Sequence, residues 1–347
     1  AVAAAYAPLD GLPADAILKR TWPTRFAGLI EQQIRGPMAE RRQRASIPRI
    51  TPIADETSLK VQSQYEENPY PRWTSLPSAP RSMPIDDWFR TFFPMANYKP
   101  SGKAPGLDIL IAGCGTGQHS IMFAQSYPGA KVLAIDLSLA SLGYAKLKTR
   151  EMELANIEYA QADILELGSL NRSFDVISSG GVLHHLADMM AGWRVLLSLL
   201  RPGGCMHIAL YSELARRSVV SGREFIARRG FAASDIPRAR QELIAAAAEN
   251  TALKGVLEFP DFYATSDCRD LLFHVQETRC TIPQIAAFLS ENNLEFLGFV
   301  LADSVRAQFE AKYSRQKDPD LNCWHEYEMQ NPDTFRGMYE FWVQKRA

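Results

Sequence analysis

Between residues 101 and 211 the chain alternates short apolar runs with stretches of helical period. The apolar runs at 107–112, 131–136, 157–161, 174–178 and 205–211 are of strand length. Between them, apolar residues recur at helical spacing over 118–126, 139–154 and 188–200. Arg201-Pro-Gly-Gly204 predicts a stop for the last of these helices and a turn into the following strand. Strands joined through helices by short turns predict a parallel sheet covered on both faces, because near-continuous apolar strands must be buried on both sides.

The flanks read differently. Pro8, Pro13, Pro23, Pro37, Pro48 and Pro52 punctuate the first hundred residues and predict short helical pieces, one of them over 23–34. Helical period returns at 215–229, 237–253 and 282–292, a strand-like run follows at 294–301, and the chain closes on another at 338–344. The predicted organisation is an N-terminal proline-rich helical cap or lid at 1–100 and a Rossmann-like core at 101–211. A helical cap insertion at 212–292 follows, then 293–347, with the last two strands of the core around an inserted helical segment at 303–338. The expected fold class is α/β, doubly wound, with a mostly parallel seven-stranded sheet.

Composition narrows the classes of function. Of 347 residues, 46% are hydrophobic and 22% charged, enough for a large core. Thirty-eight basic against 39 acidic side chains give a net charge of −1, so no global field draws nucleic acid or an anionic membrane. The basic run Arg35, Arg41, Arg42, Arg44 and Arg49 reads as a solvated helix face. Five scattered cysteines without C-x-x-C spacing predict neither a disulfide framework nor a metal site, and fit a reducing cytoplasm. No apolar run approaches the roughly 20 residues of a membrane helix. Ala1 to Ala7 lack the basic segment of a signal peptide, and the absent initiator Met reads as the start of a piece of something longer.

The candidate chemistry centres on Ile111-Ala-Gly-Cys-Gly-Thr-Gly117, where a strand runs into three glycines and a helix begins. Such a turn lets backbone amides approach a nucleotide-like ligand. The dinucleotide pattern G-x-G-x-x-G wants glycine or alanine where this chain has Gln118, which argues against a nicotinamide cofactor. Asp136 ends the second strand, where a carboxylate can accept both ribose hydroxyls; a helix cap is the rival role.

This turn, Ala134-Ile-Asp136, Gln161-Ala-Asp163, Phe174-Asp-Val-Ile-Ser178, Val182-Leu-His-His-Leu186 and Leu200-Arg-Pro-Gly-Gly204 together resemble the core of class I S-adenosylmethionine-dependent methyltransferases. The resemblance implies S-adenosyl-L-methionine as cofactor. Gly113, Cys114, Gly115 and Gly117 would face its amino-acid end, Asp136 and Leu137 its ribose and adenine, and Asp163 and Ile164 the adenine edge. Gly180 would contact it from the fourth strand.

His184 and His185 are candidates for a base, His185 foremost; the rival reading is a helix cap and a packing role. Residues 64–73 resemble a region preceding the methyltransferase domain in bacterial proteins with tetratricopeptide repeats. There Tyr65 would close over the cofactor and Tyr70 over the reaction centre. Asn68-Pro-Tyr-Pro71 resembles the Asn-Pro-Pro-Tyr clamp of amino-group methyltransferases but lies before the first strand, so that clamp chemistry does not transfer.

In the insertion, Arg269, Asp270, His274 and Glu277 have the spacing of one helix face, either an acceptor pocket or a salt-bridged surface. Trp324, His325 and Tyr327 are candidates to close the pocket. The expected activity is methyl transfer to an acceptor under helical caps, a protein or peptide, with a small-molecule acceptor or a silent cofactor-binding scaffold as alternatives. Neither nucleic acid nor a membrane is expected as partner.

Overall fold

The computed structural model describes residues 9, 13–75, 82–103, 106–313 and 320–346; the reading of Ala1 to Ala7 lies outside them. Seven strands form one sheet: β1 (Asp108–Ala112), β2 (Lys131–Asp136), β3 (Ile157–Gln161), β4 (Phe174–Gly180), β5 (Leu200–Leu210), β6 (Leu294–Phe299) and β7 (Tyr339–Lys345). Their order is β3-β2-β1-β4-β5-β7-β6, parallel except for β7, which runs antiparallel to both neighbours. The order reverses between β1 and β4. In an open α/β sheet, ligands bind outside the carboxyl ends of the strands at such a point.

Alternation along the strands divides the core. Ile109 and Ile111 of β1 face a cluster with Phe89 and Trp342, whereas Leu110 and Ala112 face one with Trp193 and Phe288. The Trp193 and Phe288 rings stack at 4.0 Å. A separate cluster (Val219, Leu243, Phe262 and Leu271 among others) holds together the helices Arg217–Arg229, Ile236–Ala247 and Thr265–Phe273. That cluster gives the insertion a core of its own.

Three sequence expectations change. Arg201-Pro-Gly-Gly204 is not a turn before β5 but part of it. β5 pairs Leu200 with Phe174 and then Cys205 with Val176, and the extra residues are absorbed as a bulge with Gly203 at φ +74°. Pro37 does not divide the chain, because the π-helical turn Glu31–Arg35 leads directly into the helix Gly36–Arg44, where proline occupies a first-turn position that needs no donor. The 237–253 pattern is two helices, Ile236–Ala247 and Thr251–Lys254, the second capped by Asn250.

Of the basic run, Arg49 reaches Gln161 at 2.9 Å beside a one-residue bridge onto the edge of β3, and Arg44 lies 4.0 Å from Glu66. Arg49 therefore pins the N-terminal region to the core, while Arg44 ties two of that region's own helices together.

Gly117 is the left-handed residue (φ +87°) before the helix Gln118–Ser126. A β-carbon there would stand 2.6 Å from Ala145 Cβ. Gly117→Ala should therefore cost about 2–4 kcal/mol of stability through the left-handed backbone and overpacking. Urea unfolding checks this; an unchanged midpoint contradicts it.

Candidate active site

A cavity of about 530 Å³ opens at the carboxyl ends of β1, β2 and β4. Its walls include Gly113, Cys114, Gly115, Asp136, Leu137, Asp163, Ile164, Gly180, His185, Tyr65 and Tyr70. Gly117 is not among them; its glycine serves the helix packing just described.

The glycine turn is held by a carboxylate. Asp136 Oδ2 accepts the Gly115 N–H at 2.8 Å, and Oδ1 accepts the Ser138 N–H at 2.9 Å. The helix Leu139–Glu151 is capped by Ser138, not by Asp136. Burial pushes the Asp136 carboxyl up to about 6, against the pull of these two amides. Asp163 has a double position: Oδ1 caps the short 3-10 helix after β3 through Leu165 N–H at 3.0 Å, while Oδ2 is buried with no partner among the described residues. A buried oxygen left unpaired is costly, and a ligand amino group is what it lacks. Two acceptors at the ends of β2 and β3 thus suit a ribose and an adenine. Cys114 is buried and its thiol is pushed well up, so it is no nucleophile.

The roof comes from the helix Glu56–Glu67 and the strap after it. Glu66 accepts the backbone N–H groups of Leu139 and Ala140, and Gln62 donates to Leu137 O at 3.2 Å. The Thr116 hydroxyl donates to Pro71 O, and the Trp73 indole donates to Thr116 O at 3.2 Å. Tyr70 O lies so near the turn that a β-carbon on Gly115 (φ +51°) would stand 3.1 Å from it. On its other side the roof binds the insertion: Asn68 donates to Ser266 Oγ at 3.0 Å, Val275 N–H to Gln64 at 3.0 Å, and Arg269 pairs with Glu67 at 2.6 Å.

Past the roof, the hydrogen bonds fix every proton in one network. Gln276 supplies both ends. Its carbonyl accepts at 2.7 Å from His185 Nδ1, which therefore carries the proton. Its N–H donates at 3.1 Å to His274 Nδ1, which therefore carries none. Burial beside His185 pushes His274 down to about 2, so it is neutral and its Nε2–H donates to the Tyr65 hydroxyl at 3.1 Å. Tyr65 in turn donates to Asp270 Oδ1 at 2.8 Å. The two imidazoles stack at 3.7 Å. Among the described residues Nε2 of His185 has no hydrogen-bond partner, and burial lowers that histidine below its ordinary value.

His184 is fully buried and stacked on Tyr211 at 3.7 Å, with neither nitrogen hydrogen-bonded among the described residues, and Asp188 caps the next helix. Neither histidine is a cap.

The four-residue helix face does not exist as such. The helix Thr265–Phe273 ends before His274, and Glu277 lies in the extended chain beyond it. Arg269 makes a surface pair, Asp270 faces the cavity, and Glu277 is buried against Arg216 at 2.5 Å. Trp324, His325 and Tyr327 do not close the cavity. Trp324 stacks on Phe309 at 3.5 Å in the core, and Met338 lies in the wall in their place. The sequence reading also passed over Asp261, Tyr211, Arg216 and His119, which line the cavity. His119 directly follows Gln118 at the helix start; the other three stand in no motif.

A methyltransferase domain model matches residues 109–204. An uncharacterised protein of Synechococcus sp. is 30% identical over 296 residues, covering 80% of this chain and 69% of its own. The demethylmenaquinone methyltransferase of Lactococcus lactis is 35% identical over 107 residues, 30% of this chain and 42% of that enzyme. Among solved structures, PKMT2 from Rickettsia typhi in complex with AdoHcy is similar with a TM-score of 0.56 at 20% identity, over 78% of this chain and 55% of that one. The chain thus spans about half the length of PKMT2.

With this fold and a cavity that fits the cofactor, the chain belongs to the class I S-adenosylmethionine-dependent methyltransferases. S-adenosylmethionine is its cofactor; when bound, it supplies an electrophilic methyl on a sulfonium. Among the described residues no cluster suited to a metal occurs, the cysteines are free, and no helix is long and apolar enough to cross a membrane.

Ionised Asp136 is the better acceptor for ribose hydroxyls, so affinity for S-adenosylhomocysteine should be flat above about pH 6. Below it the affinity should fall, at most tenfold per unit. Calorimetry from pH 8 to 5 checks this, with Asp136→Asn expected to bind weakly at every pH; a flat profile for the unaltered protein refutes it.

Proposed function

We propose that the protein transfers methyl groups to a side chain presented by a polypeptide. One observation carries this reading. A nucleoside joined to an amino acid takes up most of a cavity of about 530 Å³, leaving room for a slender acceptor and not for a bulky one. Close in sequence to the walls, Leu59 and Tyr263 are 46% and 57% exposed, adjacent to or two residues from the lining residues Ser58 and Asp261. Large exposed apolar side chains at a cavity mouth suit contact with a chain that remains outside.

His185 is the residue placed to receive a proton from the acceptor. Nδ1–H is locked on Gln276 O, the ring is neutral, and Nε2 keeps its lone pair. The roof, with Tyr65 on its helix and Tyr70 on its strap, covers the glycine turn and limits water there, which favours displacement at a sulfonium.

The reading is tested with labelled methyl from S-adenosylmethionine in host lysate, separated into protein and small-molecule fractions. Label in the protein fraction is expected; label confined to small molecules assigns the alternative acceptor, and none at all favours a silent scaffold. His185→Ala should lower turnover by about 100-fold or more and leave S-adenosylhomocysteine affinity within about twofold. A loss below about tenfold would make His185 structural.

A further inference from the structure

We infer that Asp270, acting through Tyr65 and His274, is a positioning residue that supports the positive charge His185 acquires on taking the acceptor's proton; this rests on the methyl-transfer reading above, with His185 as base. For a neutral X–H acceptor the bond to hydrogen breaks and the proton passes to His185 Nε2. Its electron pair forms the X–C bond, the C–S bond breaks, and that pair stays on sulfur. The ring becomes an imidazolium in a wall that is short of negative charge.

Three arginines stand there. Arg216, Arg279 and Arg223 share one acid, Glu277, at 2.5, 3.5 and 3.9 Å. Glu277 is outnumbered and cannot also balance an imidazolium. The rings around His185 bring no charge. His184 lies at 4.3 Å, Tyr211 at 6.2 Å and His274 at 3.7 Å, and burial keeps both histidines neutral and the Tyr211 phenol protonated. Asp270 remains, on the helix Thr265–Phe273. Against burial and Arg216, it is the group that most favours a proton on His185. Burial raises the Asp270 carboxyl, and a charge on His185 or Arg216 brings it down, so the attraction between acid and base is mutual.

Hydrogen bonds carry the influence of Asp270 to the base. Gln276 N–H donates to His274 Nδ1, His274 Nε2–H to the Tyr65 oxygen, and Tyr65 O–H to Asp270 Oδ1, at 3.1, 3.1 and 2.8 Å. All three donors point along the chain toward the carboxylate, which polarises each in turn and leaves the His274 ring richer in electrons. That ring lies flat on His185, 3.7 Å away and 18° from parallel. Once His185 is protonated, the stack becomes a cation–π pair. Both nitrogens of His274 are engaged, so it does not take the proton itself. The link in the middle belongs to the roof: Tyr65 stands on the helix Glu56–Glu67, whose Glu66 accepts from Leu139 and Ala140 beside the cofactor end. One helix thus covers the cofactor and completes the support of the base.

Two measurements test this on the full chain. The protein has six histidines, so ring-labelled material saturated with S-adenosylhomocysteine gives few enough NMR signals to follow each titration, His185 being the signal lost in His185→Ala. Asp270→Asn should keep His185 neutral to at least about one pH unit lower than in the unaltered protein. Tyr65→Phe, which keeps the ring and removes the hydroxyl, should act in the same direction by less. Glu67→Gln, which removes only the pair with Arg269, should leave the titration in place. A titration unchanged in Asp270→Asn, or moved equally by Glu67→Gln, overturns the proposal. In the lysate assay, Asp270→Asn should lower methyl transfer by about tenfold in the unaltered protein and stay within about twofold in His185→Ala, where there is no charge left to support. Equal losses in both backgrounds overturn it. The loss in His185→Ala alone tests whether His185 is the base, and the His185 titration tests whether Asp270 supports its charge, so the two fail separately.

Discussion

A carboxylate whose partners are backbone amides holds the centre of this molecule together. Asp136 receives N–H groups from Gly115 on one side and Ser138 on the other, and so ties the ends of β1 and β2 into one rim. Burial makes its charge expensive, and hydroxyl donors on a ligand offset that cost. The same turn takes the weight of the roof through Thr116, which meets both Pro71 and Trp73. Cofactor site and roof are therefore one mechanical unit: what shifts the turn shifts the strap.

The division of labour follows the chain's topology. The parallel strands contribute the acceptors that suit an adenosine, at positions fixed by where each strand ends. The far wall is supplied by segments that are not strands: the strap before β1, the helices after β5 and the approach to β7. Its residues meet across sequence separations of about two hundred, as between Tyr65 and Asp270. The insertion can hold that wall because it has a core of its own around Val219 and Phe262, beneath the helix that carries Asp270.

This division also explains what the sequence disclosed. Strand period, the glycine turn and the acids at strand ends are local patterns, so β1 to β4 and the Asp136 and Asp163 positions were legible without coordinates. Tyr65 and Tyr70 stood out because a segment so dense in aromatics and prolines is unusual. Their partners could not be read. Asp261 lies in a short 3-10 turn and Arg216 just before a helix, and both matter only through neighbours far along the chain. The spacing of Asp270, His274 and Glu277 suggested one helix face, yet the helix stops at Phe273. Asp270 on that helix and His274 just past its end both meet Tyr65, whereas Glu277 turns away to Arg216, a divergence no periodicity encodes. Gly117 misled for the opposite reason: it belongs to the motif in sequence, but its demand comes from Ala145 on a neighbouring helix.

One peptide unit sets the state of two imidazoles. The carbonyl of Gln276 takes the proton of His185 and its amide gives one to His274, so adjacent stacked rings are held as opposite tautomers by a group that every residue type except proline possesses. Position 276 is thus fixed in its plane, while its side chain adds a long hydrogen bond to Leu186 O at 3.5 Å. Substitutions there can accumulate without altering how protons are distributed in the wall, whereas a small rotation of that one peptide, caused from any distance, would reset both rings together.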